Sequence, residues 1–247
     1  MEYGCKYFQN IRPHILKDHI TTENSVTEQI LSEQNIPSVN SKVNSNSNEK
    51  MMLADYLVAF SGQSKNYCVG LIDMIGSTKI ISKIAPKNWS KYYSIFLNSM
   101  AKILTAHGGI PFKNGGDSIL YYFPESSKDF SNSVMNSINC SLKMVEMHYI
   151  ICEITRKEKL PCIDYRISMD YGTVLIMNQN GSSEIDMIGP PVNMCSKINH
   201  HAGKNQIVIG GDLYQIARKF TDFKFQQTED YAIGLKNDYP VYVVTKK

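Results

Sequence analysis

Apolar positions along this chain fall into two regimes, sparse before Tyr67 and regular after it. A strand is predicted from Cys68 to Asp73, and Gly76-Ser77-Thr78 then makes a turn able to open a helix. Across residues 88–106, Tyr92, Phe96, Ser99, Ile103 and Ala106 recur at spacings of three and four. Trp89, Ile95 and Met100 broaden that stripe, and Gly108-Gly109 stops the helix. Residues 110–113 and 118–123 read as two strands joined by Asn114-Gly115-Gly116-Asp117, a hairpin. A long helix is predicted over 129–157, apolar at Val134, Ile138, Leu142, Val145, Tyr149 and Ile150 and ended before Pro161. Two strands follow at 165–171 and 173–178, then a polar tip at 179–183 and a strand at 184–188. Pro190-Pro191 sits in the first turn of a helix reaching about Ala202. A strand at 206–209, a helix capped by Asp212 and running to about Lys219, and a strand at 239–245 complete the series.

The order β-α-β-β-α-β predicts an α+β domain. Its core is a ferredoxin-like antiparallel sheet with helices packed on one face, followed by additional C-terminal strands and a helix. The domain is expected at 67–247, after a short lead-in helix at 51–66. Residues 36–50 are dominated by Asn and Ser, too poor in apolar content to offset the entropy of ordering, and read as a linker. Before them, residues 22–35 could make a short helix with Thr22 as cap and Val26, Ile30 and Leu31 on one face.

Composition narrows the function classes. A net charge of +3 with scattered Lys and Arg gives no footprint for nucleic acid or a membrane surface. No stretch resembles a signal peptide or a membrane span. The six cysteines lack Cys-x-x-Cys spacing and sit mostly in apolar runs, as small buried thiols do, so the reducing cytoplasm is the expected compartment.

The candidate chemistry lies in two acids. Asp73 ends an apolar run and Asp117 follows Gly-Gly; brought together, their carboxylates would make an oxygen-rich site for Mg²⁺ or Mn²⁺. Singly, each acid reads as an ordinary turn residue. His200-His201, at the end of a helix, reads as a favourable interaction with the helix dipole.

Four separated blocks, in order, resemble the class III nucleotide cyclase catalytic domain shared by adenylyl and guanylyl cyclases. They are Leu71-Ile-Asp-Met-Ile-Gly-Ser-Thr78, Lys113-Asn-Gly-Gly-Asp-Ser-Ile119, Asp186-Met-Ile-Gly-Pro-Pro-Val-Asn-Met-Cys-Ser-Lys-Ile198 and Ala202-Gly-Lys-Asn-Gln-Ile-Val-Ile209. The resemblance covers roughly 67–245 and implies the cyclase fold, two Mg²⁺ or Mn²⁺ ions, and a homodimer with the metal acids of one subunit facing the base and ribose residues of the other. It implies Asp73 and Asp117 as metal ligands, joined by the backbone carbonyl of Met74 or Ile75. It further implies Lys113 and Asp186 as the pair that reads adenine, Asn193 as the residue that positions the ribose, and Lys236 as a triphosphate lysine, followed by Asn237 where many members have glycine. Lys197 stands where the family usually has an arginine that stabilises charge at the reacting phosphate. It keeps the charge and lacks the planar fork.

The activity implied is that of an adenylyl cyclase, ATP to 3′,5′-cyclic AMP and pyrophosphate. One alternative is a non-catalytic nucleotide-binding module on the same fold, motivated by Lys197, Pro190-Pro191 and Asn237. A diguanylate cyclase is the third reading, from which Ser118-Ile119 after Gly-Gly-Asp departs.

Overall fold

A computed structural model of the chain describes residues 59–124, 130–178, 185–228 and 239–247. The expected helix at 22–35, the linker, residues 51–58, the tip at 179–183, and Lys236 with Asn237 lie outside them. In chain order the strands are β1 (Ala59–Met74), β2 (Ile110–Asn114), β3 (Ser118–Phe123), β4 (Tyr165–Asn178), β5 (Ile185–Ile188), β6 (Gln206–Gly210), β7 (Phe223–Gln227) and β8 (Val241–Lys246). The helices are α1 (Ser77–Ile81), α2 (Trp89–Ala106), α3 (Phe130–Lys157), α4 (Pro190–Ile198) and α5 (Gly211–Ala217). The sheet runs β2-β3-β1-β4-β6-β8-β7, with β5 added to β4. Among the described residues only the β4–β6 pair is parallel; the other ladders are antiparallel.

Strand β1 is central and paired on both flanks, from Cys68↔Phe123 to Asp73↔Ser118 on β3 and from Ala59↔Asn178 to Met74↔Tyr165 on β4. Its even positions Cys68, Ile72 and Met74 enter the main core with Tyr92, Phe96, Met100 and Leu104 of α2 and Val134, Ile138 and Met144 of α3. Its odd positions Tyr67 and Val69 join a second cluster with Val174, Met187 and Cys195 of α4. Between them Gly70 has no side chain because the ring of buried Tyr121 lies where a Cβ would stand.

The expected β-α-β-β-α-β order is present, and several expectations need correction. Helices do not share one face: α4 covers the side of the sheet opposite α2 and α3. The apolar run of β1 at both parities is the mark of a strand covered on both sides. The lead-in helix is not formed over 59–66. That segment extends β1, pairing Ser64↔Leu175, Lys65↔Val174 and Asn66↔Thr173 after a register shift, because a free edge on β4 outweighs weak local propensity. The two strands expected around Gly172 are one strand, with Gly172 beside the Pro191 ring. Helix α2 buries Tyr92, Phe96, Met100 and Leu104 at a spacing of four, and Trp89 stays 41% exposed with its indole Nε1 donating to the carbonyls of Ile81 and Ile84. Asp212 does not cap its helix. It lies inside the first turn of α5, with Gly210 at the cap position. Strand β7 was not expected at all; its alternation Phe223, Phe225 is brief and flanked by polar residues. Cys68, Cys140 and Cys195 are buried thiols as expected, whereas Cys152 and Cys162 are joined in a disulfide.

Asp170 on β4 is 1% exposed and ties three elements together. Its carboxylate accepts from the backbone N–H of Tyr171 (2.9 Å) and Leu213 (3.3 Å) and from the Tyr239 hydroxyl (2.6 Å). Gly210 makes the space, since a Cβ there would come within 2.6 Å of the carboxyl group. Burial pushes the Asp170 carboxyl up to about 6, against the opposing pull of those hydrogen bonds. An acid with a raised folded-state pKa binds its proton more tightly folded than unfolded, so stability falls as pH rises from about 4 to about 6 and is level above. We expect that decline to be on the order of 2–3 kcal/mol and to vanish in Asp170→Asn, as read from urea midpoints between pH 4 and 7.

Candidate active site

The hairpin between β2 and β3 is closed by its own sequence. The Asn114 side chain accepts from the Gly116 N–H (2.8 Å), the Gly115 N–H donates to the Ser118 carbonyl (2.9 Å), and Gly116 takes the left-handed conformation at φ 90°. Asp117 follows this turn. Its carbonyl accepts from the Met74 N–H (2.9 Å) and its Oδ2 accepts from the Ser77 hydroxyl (2.6 Å). On the neighbouring strand, the turn after Asp73 passes through Gly76 at φ 68°, and the Ile75 N–H donates to the Asp164 carbonyl (2.8 Å). The two acid-bearing turns are thus fastened to each other and to the start of β4.

Asp73 has Ser118 beside it on β3 and Arg166 beside it on β4. Arg166 Nη2 donates to Asp73 Oδ2 at 3.2 Å. Burial pushes the Asp73 carboxyl up; Arg166 pulls it down, the Asp117 carboxylate pushes it up again, and His200 pulls it down. The net direction is upward. A second carboxylate that disfavours the ionisation of Asp73 marks a place for a cation.

The donor set fits a hard divalent ion. Oδ2 of each acid is engaged, by Arg166 and by Ser77, while Oδ1 of each makes no hydrogen bond among the described residues. Oxygen donors without sulfur or imidazole suit Mg²⁺ or Mn²⁺.

A second pair forms where β2 meets β5. Lys113 Nζ lies 2.8 Å from Asp186 Oδ2, and Asp186 Oδ1 accepts from the Met187 N–H (2.8 Å). Helix α4 begins at Pro190-Pro191 and buries Pro191, Cys195 and Ile198, which leaves Asn193 and Lys197 exposed, one turn apart. Neither side chain makes a hydrogen bond or ion pair among the described residues.

The structure therefore brings Asp73 to Asp117 and Lys113 to Asp186, and sets Asn193 and Lys197 together on α4. Sequence reasoning missed Arg166, Ser77 and His200. Arg166 had a legible signal, because Arg166, Ser168 and Asp170 alternate with Tyr165, Ile167 and Met169, which marks a polar face on a strand otherwise buried. His200 was read as a helix-end residue, yet it lies near enough to act on the Asp73 charge.

Comparison with known proteins fits this geometry. The fold is shared with the crystal structure of the adenylyl cyclase CyaB from P. aeruginosa, at TM-score 0.67 and 18% identity over 75% of this chain and 96% of that one. It is shared equally with the guanylate cyclase domain of RhGC from Catenaria anguillulae in complex with GTP, at TM-score 0.65 and 18% identity over 75% of this chain and 100% of that one. Among relatives by sequence, a cytidylate cyclase from Staphylococcus aureus is 26% identical over 169 residues, 65% of this chain and 40% of that protein. One from Escherichia coli is 27% identical over 154 residues, 58% of this chain and 33% of that protein. The matched region thus spans well under half the length of these relatives. The family model of the adenylate and guanylate cyclase catalytic domain matches residues 60–246. With that match over most of its length, the chain belongs to the family of class III nucleotide cyclase catalytic domains.

Proposed function

We propose that this chain cyclises a nucleoside 5′-triphosphate to the 3′,5′-cyclic nucleotide with release of pyrophosphate, and that ATP is the substrate. The observation that carries the reading is the side-by-side placement of Asp73 and Asp117. Their carboxylates, with the carbonyl of Ile75, are the groups to hold two Mg²⁺ or Mn²⁺ ions, which when bound acidify the ribose 3′-hydroxyl and neutralise departing pyrophosphate. Arg166 holds the Asp73 carboxylate in place and balances its charge. Asn193 orients the ribose, and Lys197 and Lys236 bring positive charge to the triphosphate.

Lys113 and Asp186 read the base. In the free protein they satisfy each other, and with the Lys113 side chain 57% exposed the pair is worth no more than about 1 kcal/mol and opens at little cost. Lysine donates and aspartate accepts, so they match a base with an exocyclic amine beside a ring-nitrogen acceptor. Adenine has that edge. Guanine and uracil present a carbonyl beside an N–H and would leave both side chains facing the wrong partner.

Cytosine has the same edge as adenine, an amine at C4 beside N3. A second reading, CTP as substrate, follows from this chemistry and from the names of the cytidylate cyclase relatives.

The reading includes a homodimer in which one protomer supplies the acids and its partner the base pair. Leu175 (39% exposed) and Ile188 (41%), cross-strand partners just before α4, offer apolar surface for such a contact. No helix among the described residues is long and apolar enough to cross a membrane, and we place the activity in the cytoplasm, where nucleoside triphosphates are abundant.

Incubation with each of the four triphosphates and Mn²⁺, with products resolved by mass, tests the reading. Cyclic product from ATP, with GTP and UTP at least about tenfold poorer in kcat/KM, is expected. CTP as the best substrate would replace ATP by the second reading. GTP or UTP as the best substrate would sink the role given to Lys113 and Asp186.

Asp73→Ala and Asp117→Ala should each abolish product while the circular dichroism spectrum stays unchanged. Activity within a few-fold of the parent would refute the metal assignment.

For Lys197, Ala should lower kcat strongly and Arg should raise it or leave it unchanged, with little effect on nucleotide affinity. A contact that strengthens at the developing phosphate charge acts on turnover. Equal kinetics for Lys, Arg and Ala would make Lys197 a solvated side chain without a catalytic role.

A further inference from the structure

The C-terminal half of α3 and the segment entering β4 bring three metal-binding side chains to one place, with Asp164 beside them. His148 and Cys152 are one helical turn apart on α3, and Cys162 and Asp164 are alternate residues before Tyr165. His148 Nε2 lies 3.3 Å from Cys152 Sγ, 3.6 Å from Cys162 Sγ and 3.1 Å from Asp164 Oδ1. The imidazole and both sulfurs fall within 4.8 Å of one another. A tetrahedral zinc shell, with Zn–S about 2.3 Å and Zn–N or Zn–O about 2.0 Å, has sulfur–nitrogen edges of roughly 3.6 Å and nitrogen–oxygen edges of roughly 3.3 Å. All three edges from the His148 nitrogen have such lengths. The sulfur–sulfur edge differs, because Cys152 and Cys162 are joined as a disulfide, and Asp164, which meets the imidazole, stands outside the group of three mutually close ligand atoms.

We propose that in the dithiol state His148, Cys152 and Cys162 form a tetrahedral site for a zinc-type cation, with water in the fourth position, and that the disulfide is the metal-free, oxidised form of the same site. A dithiol reductant of the thioredoxin class breaks the S–S bond by supplying two electrons and two protons and itself becomes a disulfide. The cation then displaces both thiol protons to solvent as the two thiolates bind. Cys162 is exposed, which gives the reductant access. Thiolate and imidazole donors select zinc over the magnesium class suited to Asp73 and Asp117.

The surroundings orient the donors as outer-sphere groups do. Asp164 Oδ2 accepts from Lys204 Nζ (2.9 Å), its Oδ1 from Asn205 Nδ2 (2.9 Å), and the His148 ring meets Tyr165 edge-on at 5.7 Å between centroids. Asn205 is itself fixed by its N–H donating to the Tyr165 carbonyl (2.7 Å) and its Oδ1 accepting from the Tyr165 N–H (3.2 Å). The site borders the candidate active site through the Asp164 carbonyl that holds Ile75, and shares no ligand with it.

The test is metal binding by the full chain, independent of turnover. Protein reduced with a phosphine is loaded with Zn²⁺ or Co²⁺ and freed of excess metal by gel filtration. About one equivalent per chain should remain, with the near-ultraviolet thiolate-to-cobalt band and visible bands of tetrahedral Co²⁺. Diamide oxidation should release it. His148→Gln and Cys162→Ser should each weaken binding by at least about tenfold. Cys162→Ser changes an exposed side chain, and circular dichroism verifies that each variant is folded. Reduced, folded parent protein retaining under about a tenth of an equivalent would overturn the proposal. Binding that is undiminished in both variants would overturn it as well, by placing the metal elsewhere.

Discussion

Two hydrogen-bonded ladders share β1, and the register of both is what the candidate site depends on. Asp73 stands opposite Ser118 on one side and Arg166 on the other, so the residue after the Gly-Gly-Asp turn and the one charged donor at the start of β4 lie in one row with it. Because side chains alternate with a period of two, a slip of one residue would carry Asp73 into the core against the apolar side chains of α2 and turn Ile72 and Met74 out of it. The buried side chains of β1 at both parities make such a slip costly from either face. Packing of the sheet's two faces thus fixes the position of an acid that itself contributes nothing to packing.

The second constraint is electrostatic. Asp73 is partly withdrawn from water and faces another carboxylate, two influences that both disfavour its ionised form. Arg166 offsets them in part, and its Nε is buried without a hydrogen-bond partner among the described residues. A guanidinium held this way by one oxygen of Asp73, with Ser77 holding one oxygen of Asp117, keeps both carboxylates oriented before any cation arrives. Such preorganisation lowers the cost of assembling a charged site at the moment of binding.

How much of this was legible in the sequence differs by element. The hairpin 110–123, α2 and α3 were readable because their own residues decide them: an Asn side chain that closes its turn, apolar positions one turn apart, glycines after the last turn. The extension of β1 to Ala59 was not, since Ser64, Lys65 and Asn66 form a strand only because β4 presents an unpaired edge. The position of α4 on the opposite face was within reach, as Val69 and Leu71 are as apolar as Cys68 and Ile72, but a short apolar run at both parities also fits a strand with one loosely covered face. Of the site, the two acids and the Lys113–Asp186 pair were found through blocks of contiguous sequence. Arg166 and His200 reach Asp73 from segments far along the chain, and only the β1–β4 ladder and the turn after α4 bring them there.

The Cys152–Cys162 pair illustrates the same limit from the other direction. Each cysteine lies in an unremarkable setting, one on a helix and one in an irregular Pro161-Cys-Ile segment, and a separation of ten residues matches no metal motif. What unites them is that α3 ends at Lys157 and the chain must double back at once to enter β4 beside the last turns of the same helix, with Lys159 in the left-handed conformation at φ 58°. That reversal lays Cys162 and Asp164 along His148 and Cys152, and it also delivers the Asp164 carbonyl to Ile75. One short connection therefore positions both a sulfur-rich cluster and a fastening point of the acidic turn.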